Sequence, residues 1–270
     1  MVLAIDPHML RLISPALAAV AGTLFLRERR RRLSLERFGA AALETLLDAI
    51  DANDAETGAH VRRVADYSLI LARAADLDGH ARCTVERVAL FHDVGKIHGA
   101  LTDLLNEPNR LTPAERNAIN THPQRGADVL EPLRNFYPDL PDGVLSHHER
   151  WDGGGYPRKL QGSKIPIAAR IVAIADTFDA VTHSRSYSHA RSMQVASRVI
   201  AEGRGTQFDP DLADLFLSPP VVESIGKSMR SLHAPHRNSS KRRHRGGTSP
   251  VPDLRFRWRI ARLSRLQRGP

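Results

Sequence analysis

Residues 147–157 read HHERWDGGGYP, two adjacent histidines followed by an acidic, glycine-rich and aromatic segment. Side chains at neighbouring backbone positions point in different directions, so His147 and His148 suit ligation of two metal ions better than of one. Imidazoles that share a chain with well-separated carboxylates indicate a multinuclear metal site. Such a site is the common equipment for attack on a phosphodiester.

A second motif lies 55 residues upstream, where His92 and Asp93 follow the apolar run VALF at 88–91. An unpaired charge at the end of a buried helix is costly, so the carboxylate indicates a bound cation. An aspartate beside a histidine can bridge two metal ions through its two oxygens. Gly95 permits a close backbone approach, and Lys96 supplies a cation that can neutralise a phosphate oxygen.

Four further residues carry metal-ligand chemistry, although none of them is decisive alone. Glu56 and His60 are four residues apart on a predicted helix, so their side chains share a face. Taken alone, such a pair is more typical of a solvated surface. His122 precedes a proline at a helix end, where a lone histidine is more often a hydrogen-bonding residue than a ligand. Asp176 lies in an apolar helical stretch and needs a cation nearby.

Composition limits the kind of metal site and the kind of partner. Cys83 is the one cysteine, which excludes an intramolecular disulfide and a thiolate cluster and predicts a reducing, cytoplasmic setting. The net charge of +9 divides into +4 for residues 1–37, −7 for 38–226 and +12 for 227–270. Contact with a polyanion, either an anionic membrane or a nucleic acid, is therefore expected only at the two ends.

The N-terminal segment combines an apolar stretch with a cluster of arginines. Residues 12–26 carry no charge over 15 positions, and RERRRR follows at 27–32. This is shorter than the roughly 20 apolar residues that span a bilayer comfortably. The order of charges excludes a secretory signal. The pattern predicts either an anchor on the inner face of the membrane, an interfacial helix or a packing helix.

The chain between 38 and 217 has the periodicity of an all-helical domain, without strand-like alternation. Residues 142–163, with glycines at 153–155 and 162, are predicted to be the long non-helical segment. Two Pro residues at 219 and 220 mark the end of the domain, and 218–270 is predicted to be a basic, disordered tail. The expected helices are 38–52, 55–76, 80–95, 113–130, 165–183, 189–202 and 209–217.

Taken in order, these motifs resemble the HD-GYP family, the bacterial cyclic di-GMP phosphodiesterases within the HD metal-dependent phosphohydrolases. The resemblance covers residues 40–217, about two-thirds of the chain. It implies an all-α fold, an HD-domain helical bundle with a Gly-Tyr-Pro substrate loop. The motifs that carry it are Glu56-x₃-His60, His92-Asp93-x₂-Lys96, His122, His147-His148-Glu149-x₂-Asp152-Gly153-x-Gly155-Tyr156-Pro157 and Asp176-x₂-Asp179.

The resemblance also implies a set of residue roles. A hydroxide that bridges two or three Fe or Mn ions would attack phosphorus, giving linear pGpG or GMP. Asp93 would bridge ions, Lys96 would stabilise phosphoryl charge, and Glu56 accompanies the three-metal version of the site. Substrate contacts would come from Lys96, Tyr156, Asp179 and Arg185. The implied metal ligands are Glu56, His60, His92, Asp93, His122, His147, His148 and Asp176.

The chain departs from the family pattern beside the substrate pocket. Ser188 stands where the family usually has a second basic residue, and HGA at 98–100 replaces an apolar-proline pair. Loss of one charged hydrogen bond weakens binding by about 1.5–3 kcal/mol. Two alternatives therefore stand beside the phosphodiesterase. One is a protein that senses cyclic di-GMP or serves as a scaffold for diguanylate cyclases, and the other is an HD hydrolase of another nucleotide.

Overall fold

The computed structural model describes residues 7–97, 112–183 and 190–233, and every regular element within them is helical. Three short 3-10 helices, Val94–Lys96, Glu131–Leu133 and Gly162–Lys164, connect the longer ones. The predicted all-α fold is confirmed. The α-helices are α1 Pro7–Asn53, α2 Ala55–Ala74, α3 Gly79–Phe91, α4 Pro113–Ile119, α5 His122–Leu130, α6 Leu140–Leu145, α7 Ile167–Thr182, α8 Met193–Glu202, α9 Pro210–Phe216 and α10 Pro219–His233.

Helices α2, α3 and α7 form the centre of the bundle and pack against one another. On α2, Val61, Val64 and Leu71 are fully buried at the helical spacing that the sequence shows. The ring of Phe178 on α7 meets Tyr67 of α2 edge to face, with centroids 5.4 Å apart. Because each fully buried aliphatic side chain contributes about 1.5–3 kcal/mol, these contacts fix how α2 and α7 lie.

Helix α1 has two parts with different surroundings. Leu43, Leu47 and Ile50 near its C-terminal end are at most 5% exposed and belong to the core. Residues 20–31, in contrast, are exposed along their whole length. Within the part of the chain that the structure describes, none of the helices combines the length and the apolar character that a membrane crossing requires.

Several predicted element boundaries differ from the structure. The predicted helix 113–130 is two helices, because the chain turns between Ile119 and His122. The segment predicted to be non-helical from 142 begins with the end of α6. Gly143, within α6, lies against Val88, and a Cβ at this position would lie 2.4 Å from a Val88 methyl carbon. Close packing between α6 and α3, not a turn, requires this glycine.

The packed body also extends beyond the predicted domain end at 217. Pro219 and Pro220 occupy the first turn of α10, where a missing N–H costs nothing, so they begin a helix. Val221 and Ile225, four residues apart, are 4% and 1% exposed and join the core. Residues 234–270, the remainder of the predicted tail, lie outside the described residues.

Candidate metal centre

One end of the bundle gathers most of the predicted ligands into two groups of three residues. In each group the ligand atoms lie within 4.8 Å of one another. The first group comes from α2 and the end of α3, and the second from the start of α5 and the segment after α6. The groups are His60, His92 and Asp93, and His122, His147 and His148.

The carboxylate of Asp93 lies between the two groups. One oxygen, Oδ1, is 3.4 Å from Nε2 of His122 in the second group. The other, Oδ2, is 3.5 Å from Nε2 of His92 and 3.8 Å from Nε2 of His60. This arrangement places one oxygen beside each group, as a carboxylate that bridges two ions requires.

Three of the imidazoles are oriented by their own stretch of chain. Nδ1 of His92, His122 and His147 lies 2.8, 2.8 and 2.6 Å from the carbonyl oxygen three residues earlier. A carbonyl only accepts, so each Nδ1 carries the proton and each Nε2 presents a lone pair. Nε2 of His122 lies 3.1 Å from Nε2 of His147, so two lone pairs converge on one point.

Buried polar atoms without a hydrogen-bond partner mark the same place. They are Nε2 of His60, Nε2 of His92 and Oδ1 of Asp93. Each such atom costs about 1–3 kcal/mol when it is left unsatisfied, and native proteins keep few of them. A bound cation would satisfy all three, and its N and O donors are those that Fe and Mn accept. The residues present therefore fit a metal ion.

The electrostatic environment keeps three of the imidazoles and the Asp93 carboxylate in their ligand forms. Burial lowers the pKa of His122 to about 3, and burial also lowers the pKa of His92 and holds that of His147 well below its usual range. These imidazoles are neutral at physiological pH. Burial acts to raise the pKa of Asp93, but Lys96 and the neighbouring histidines together outweigh it and hold that pKa well below the usual range.

Asp176 on α7 adds a second carboxylate to the first group. Its Oδ1 lies 3.3 Å from Nε2 of His60 and 3.9 Å from Nε2 of His92. Lys96 also lies beside this group, with Nζ 2.8 Å from Oδ2 of Asp93. Asp176 and Lys96 therefore both lie beside predicted metal ligands.

Gly95 lets the two ligand groups approach each other. A Cβ at this position would lie 2.1 Å from the carbonyl oxygen of His122 and 2.6 Å from the amide nitrogen of Gly126. These are backbone atoms that a side chain does not displace cheaply. Gly95, two residues after Asp93, therefore allows the short distance between α5 and the end of α3.

The Gly-Tyr-Pro loop folds over the second group. The Tyr156 ring stacks on His148, with centroids 5.0 Å apart and planes 28° apart. The backbone N–H of Tyr156 donates to the carbonyl of His148. Gly155 is required here, because a Cβ would lie 2.4 Å from the backbone nitrogen of Arg150. The loop is thus held against a predicted metal ligand.

Glu149 holds this loop in place, a role that the sequence analysis missed. The carboxylate is 4% exposed and accepts hydrogen bonds from the backbone N–H groups of Arg158 at 2.7 Å and Leu160 at 3.0 Å. A buried acid beside two adjacent histidines was the available signal.

Three predicted site residues have other outcomes. Glu56 is exposed in the first turn of α2 and belongs to neither ligand group. Asp179 was predicted to contact substrate, but it is 1% exposed and its oxygens are bonded to His60 and Arg63. Asp179 is instead hydrogen-bonded to Nδ1 of the predicted ligand His60. Arg185, like Ser188, lies outside the described residues.

Comparison with known proteins agrees with this geometry. The HD domain family matches residues 44–212, more than half of the chain. A probable cyclic di-GMP phosphodiesterase of Vibrio cholerae is 35% identical over 206 residues, which cover 70% of this chain and 46% of the relative. The cyclic di-GMP phosphodiesterase response regulator RpfG of Xanthomonas campestris pv. campestris is 36% identical over 192 residues, covering 70% and 48%.

A third relative carries a different substrate in its name. The 3'3'-cGAMP-specific phosphodiesterase 2 of Vibrio cholerae is 37% identical over 174 residues, covering 64% of this chain and 33% of the relative. The chain thus spans about half the length, or less, of these curated relatives.

A solved structure shows the same fold. The cyclic GMP-AMP-specific phosphodiesterase V-cGAP3 of V. cholerae superposes with a TM-score of 0.53 at 21% identity, over 83% of this chain and 53% of that one. The helical architecture, the order of the motifs and the family match over 44–212 agree with one another. The chain therefore belongs to the HD domain family, in the HD-GYP group that its motifs indicate.

Proposed function

We propose that this protein is a metal-dependent phosphodiesterase that hydrolyses cyclic di-GMP to linear pGpG or GMP. The observation that carries the proposal is the position of Asp93, whose two oxygens lie beside histidines of two separate ligand groups. Relatives 35% and 36% identical to this chain are named as cyclic di-GMP phosphodiesterases, which supports the choice of substrate.

The site is proposed to hold two divalent ions, Fe or Mn. When bound, two such ions supply an activated water and offset the negative charge of a phosphoryl group. Asp93 would contribute to both positions. Exposed Glu56 makes a third ion the less favoured arrangement. The remaining ligands would be His60, His92 and Asp176 for one ion, and His122, His147 and His148 for the other.

The residues around the ligands are assigned to the substrate. Lys96, held beside Asp93 at 2.8 Å, is positioned to donate to a phosphoryl oxygen and stabilise its growing charge. Tyr156, whose loop closes over His148, is assigned to contact with a guanine base. Arg185 keeps its predicted role as a cationic substrate contact. The net charge of −7 on residues 38–226 is offset locally by the ions themselves.

The test is turnover of cyclic di-GMP by the purified protein with Mn²⁺ or Fe²⁺, followed by chromatography of the products. We expect wild-type protein to release pGpG or GMP. Asp93→Ala should lower turnover about a thousandfold or more, because it removes a ligand that both ions share, a loss of several kcal/mol. Asp214→Ala is the matched control, since this carboxylate is exposed and pairs with Arg204.

The same assay separates the two alternatives. Tight binding of cyclic di-GMP without turnover would overturn the enzymatic proposal in favour of a sensor or scaffold, for which Ser188 is the motivating residue. The relative named as a 3'3'-cGAMP-specific phosphodiesterase makes that dinucleotide the second substrate to assay. A preference for 3'3'-cGAMP would keep the chemistry and change the substrate.

We also propose that the exposed part of α1 attaches the protein to an anionic membrane surface, on the cytoplasmic side. Val20, Leu24 and Phe25 are 56%, 60% and 67% exposed. Exposed arginines at 27 and 29–31 follow them directly. Apolar side chains beside a basic cluster are the composition of a helix that lies in a lipid interface.

A further inference from the structure

Asp179 is surrounded by donors on the side of His60 that faces away from the other ligands. Its Oδ2 lies 2.7 Å from Nδ1 of His60. Arg63 donates through Nε to Oδ1 at 2.7 Å and through a terminal nitrogen to Oδ2 at 2.9 Å. Nδ1 of His183 lies 2.9 Å from Oδ1. A buried carboxylate with this many partners is held in one orientation.

His60 is oriented differently from three other predicted ligands. His92, His122 and His147 each bond a carbonyl three residues earlier, so their own helix ends fix the rings. His60 instead bonds Asp179, which is 119 residues away on α7. The direction of its Nε2 therefore depends on a side chain that itself has to be held in place.

We propose that Arg63 is a positioning residue for the first metal position. Its planar guanidinium grips both oxygens of Asp179, and this fixes the rotation of the carboxylate about its own side chain. The carboxylate in turn fixes the ring of His60, with Nε2 directed at Asp176, 3.3 Å away. Arg63 thus sets the affinity of a metal ion that it does not touch. The proposal rests on the two-metal site proposed above.

The helical register explains why this residue is suited to the task. Arg63 and His60 are three residues apart on α2, so both side chains lie on one face and reach the same carboxylate on α7. Arg62, the residue before Arg63, instead pairs with Asp51 of α1. Adjacent arginines therefore serve different partners, and the chain supplies its own matched control.

A purely structural ion pair would behave differently from a positioning residue. Loss of a structural pair lowers the stability of the metal-free fold and leaves the affinity of the folded protein for metal unchanged. Loss of a residue that orients a ligand lowers metal affinity about 10- to 100-fold. Metal binding, measured separately from stability and from hydrolysis, distinguishes the two roles.

The experiment is titration of the metal-free full chain with Mn²⁺ alone, with free Mn²⁺ followed by electron paramagnetic resonance. We expect wild-type protein to bind two equivalents. Arg63→Met should bind one equivalent with wild-type affinity, at the second group, and the other about 10- to 100-fold more weakly. Arg62→Met should bind both as the wild type does. Circular dichroism establishes that each variant is folded.

Two further variants keep the proposal testable if Arg63→Met does not fold. Asp179→Asn preserves the shape of the side chain and should weaken the same single equivalent. Arg63→Lys keeps the charge and loses the two-pronged grip, so it should also weaken that equivalent. Wild-type affinity for both equivalents in a folded Arg63→Lys or Asp179→Asn protein would overturn the proposal. Because no dinucleotide is present, failure of the proposed hydrolysis would leave this result intact.

Discussion

At the scale of single residues, the site contains buried nitrogen and oxygen atoms that have no hydrogen-bond partner. Nδ1 of His92 is bonded to a carbonyl, which leaves Nε2 buried and without a hydrogen-bond partner. Asp93 is in the same position through Oδ1. Burying these atoms is costly in the metal-free protein, and a cation that bonds several of them together removes that cost. The free energy stored in these unmet bonds favours metal binding.

Gly95 offers the sharpest test at this scale. Gly95→Ala places a Cβ 2.1 Å from the carbonyl oxygen of His122, so the backbone must shift. We expect destabilisation by about 1–3 kcal/mol, as for overpacked cores, together with weaker Mn²⁺ binding because His122 and Asp93 move apart. Thermal unfolding of the metal-free protein and a Mn²⁺ titration measure the two effects.

The matched control is Gly79→Ala at the start of α3, where no atom lies within 4 Å of the added Cβ. It should leave both quantities close to wild type, since the same chemical change meets open space. An unchanged unfolding temperature and unchanged Mn²⁺ affinity in Gly95→Ala would show that the approach of the two backbones is not needed.

At the scale of elements, the ligand-bearing helices were predictable because their apolar residues recur every three or four positions. What was not predictable is which polar residue on a helix face meets which partner. Asp176 and Asp179 share a face of α7. The sequence alone does not reveal that Asp179 accepts a hydrogen bond from Arg63, 116 residues away. Glu56 and His60 share a face of α2 as well. Only His60 is buried, because Glu56 lies in the exposed first turn.

Helix α10 tests whether the folded domain ends at 217 or beyond. Ile225 is 1% exposed and packs in the core, so Ile225→Ala should destabilise the protein by about 2–5 kcal/mol. Urea denaturation followed by circular dichroism gives the change in the free energy of unfolding. Lys227→Ala, on the same helix but 67% exposed at its side chain, should change it by less than about 0.5 kcal/mol. Equal, small effects of both substitutions would place α10 outside the folded domain.

At the scale of the whole molecule, the excess positive charge and the predicted metal site lie in different parts of the sequence. The acidic stretch 38–226 contains the predicted ligands, whereas the excess positive charge lies in 1–37 and 227–270. In the proposed two-metal site, the field would be set by the bound ions and Lys96. The basic ends are available for another purpose, and their composition suits an anionic surface.

The proposed membrane attachment of α1 follows from this division. Replacing Arg27, Arg29, Arg30 and Arg31 by glutamine removes four exposed charges beside the apolar residues 20–26. Each basic residue near an anionic bilayer contributes about 1 kcal/mol, so we expect binding to vesicles containing phosphatidylserine to fall by up to about a thousandfold. Co-sedimentation of the full chain measures it, and the tail beyond 233 is the same in both proteins.

Replacing the exposed Arg116 and Arg198 by glutamine should have little effect, because these residues lie on the body. Binding that is equal on neutral phosphatidylcholine vesicles, or that survives the fourfold replacement, would contradict an electrostatic attachment through α1. Because a Debye length at physiological ionic strength is only about 8 Å, the wild-type binding should also weaken as salt is raised.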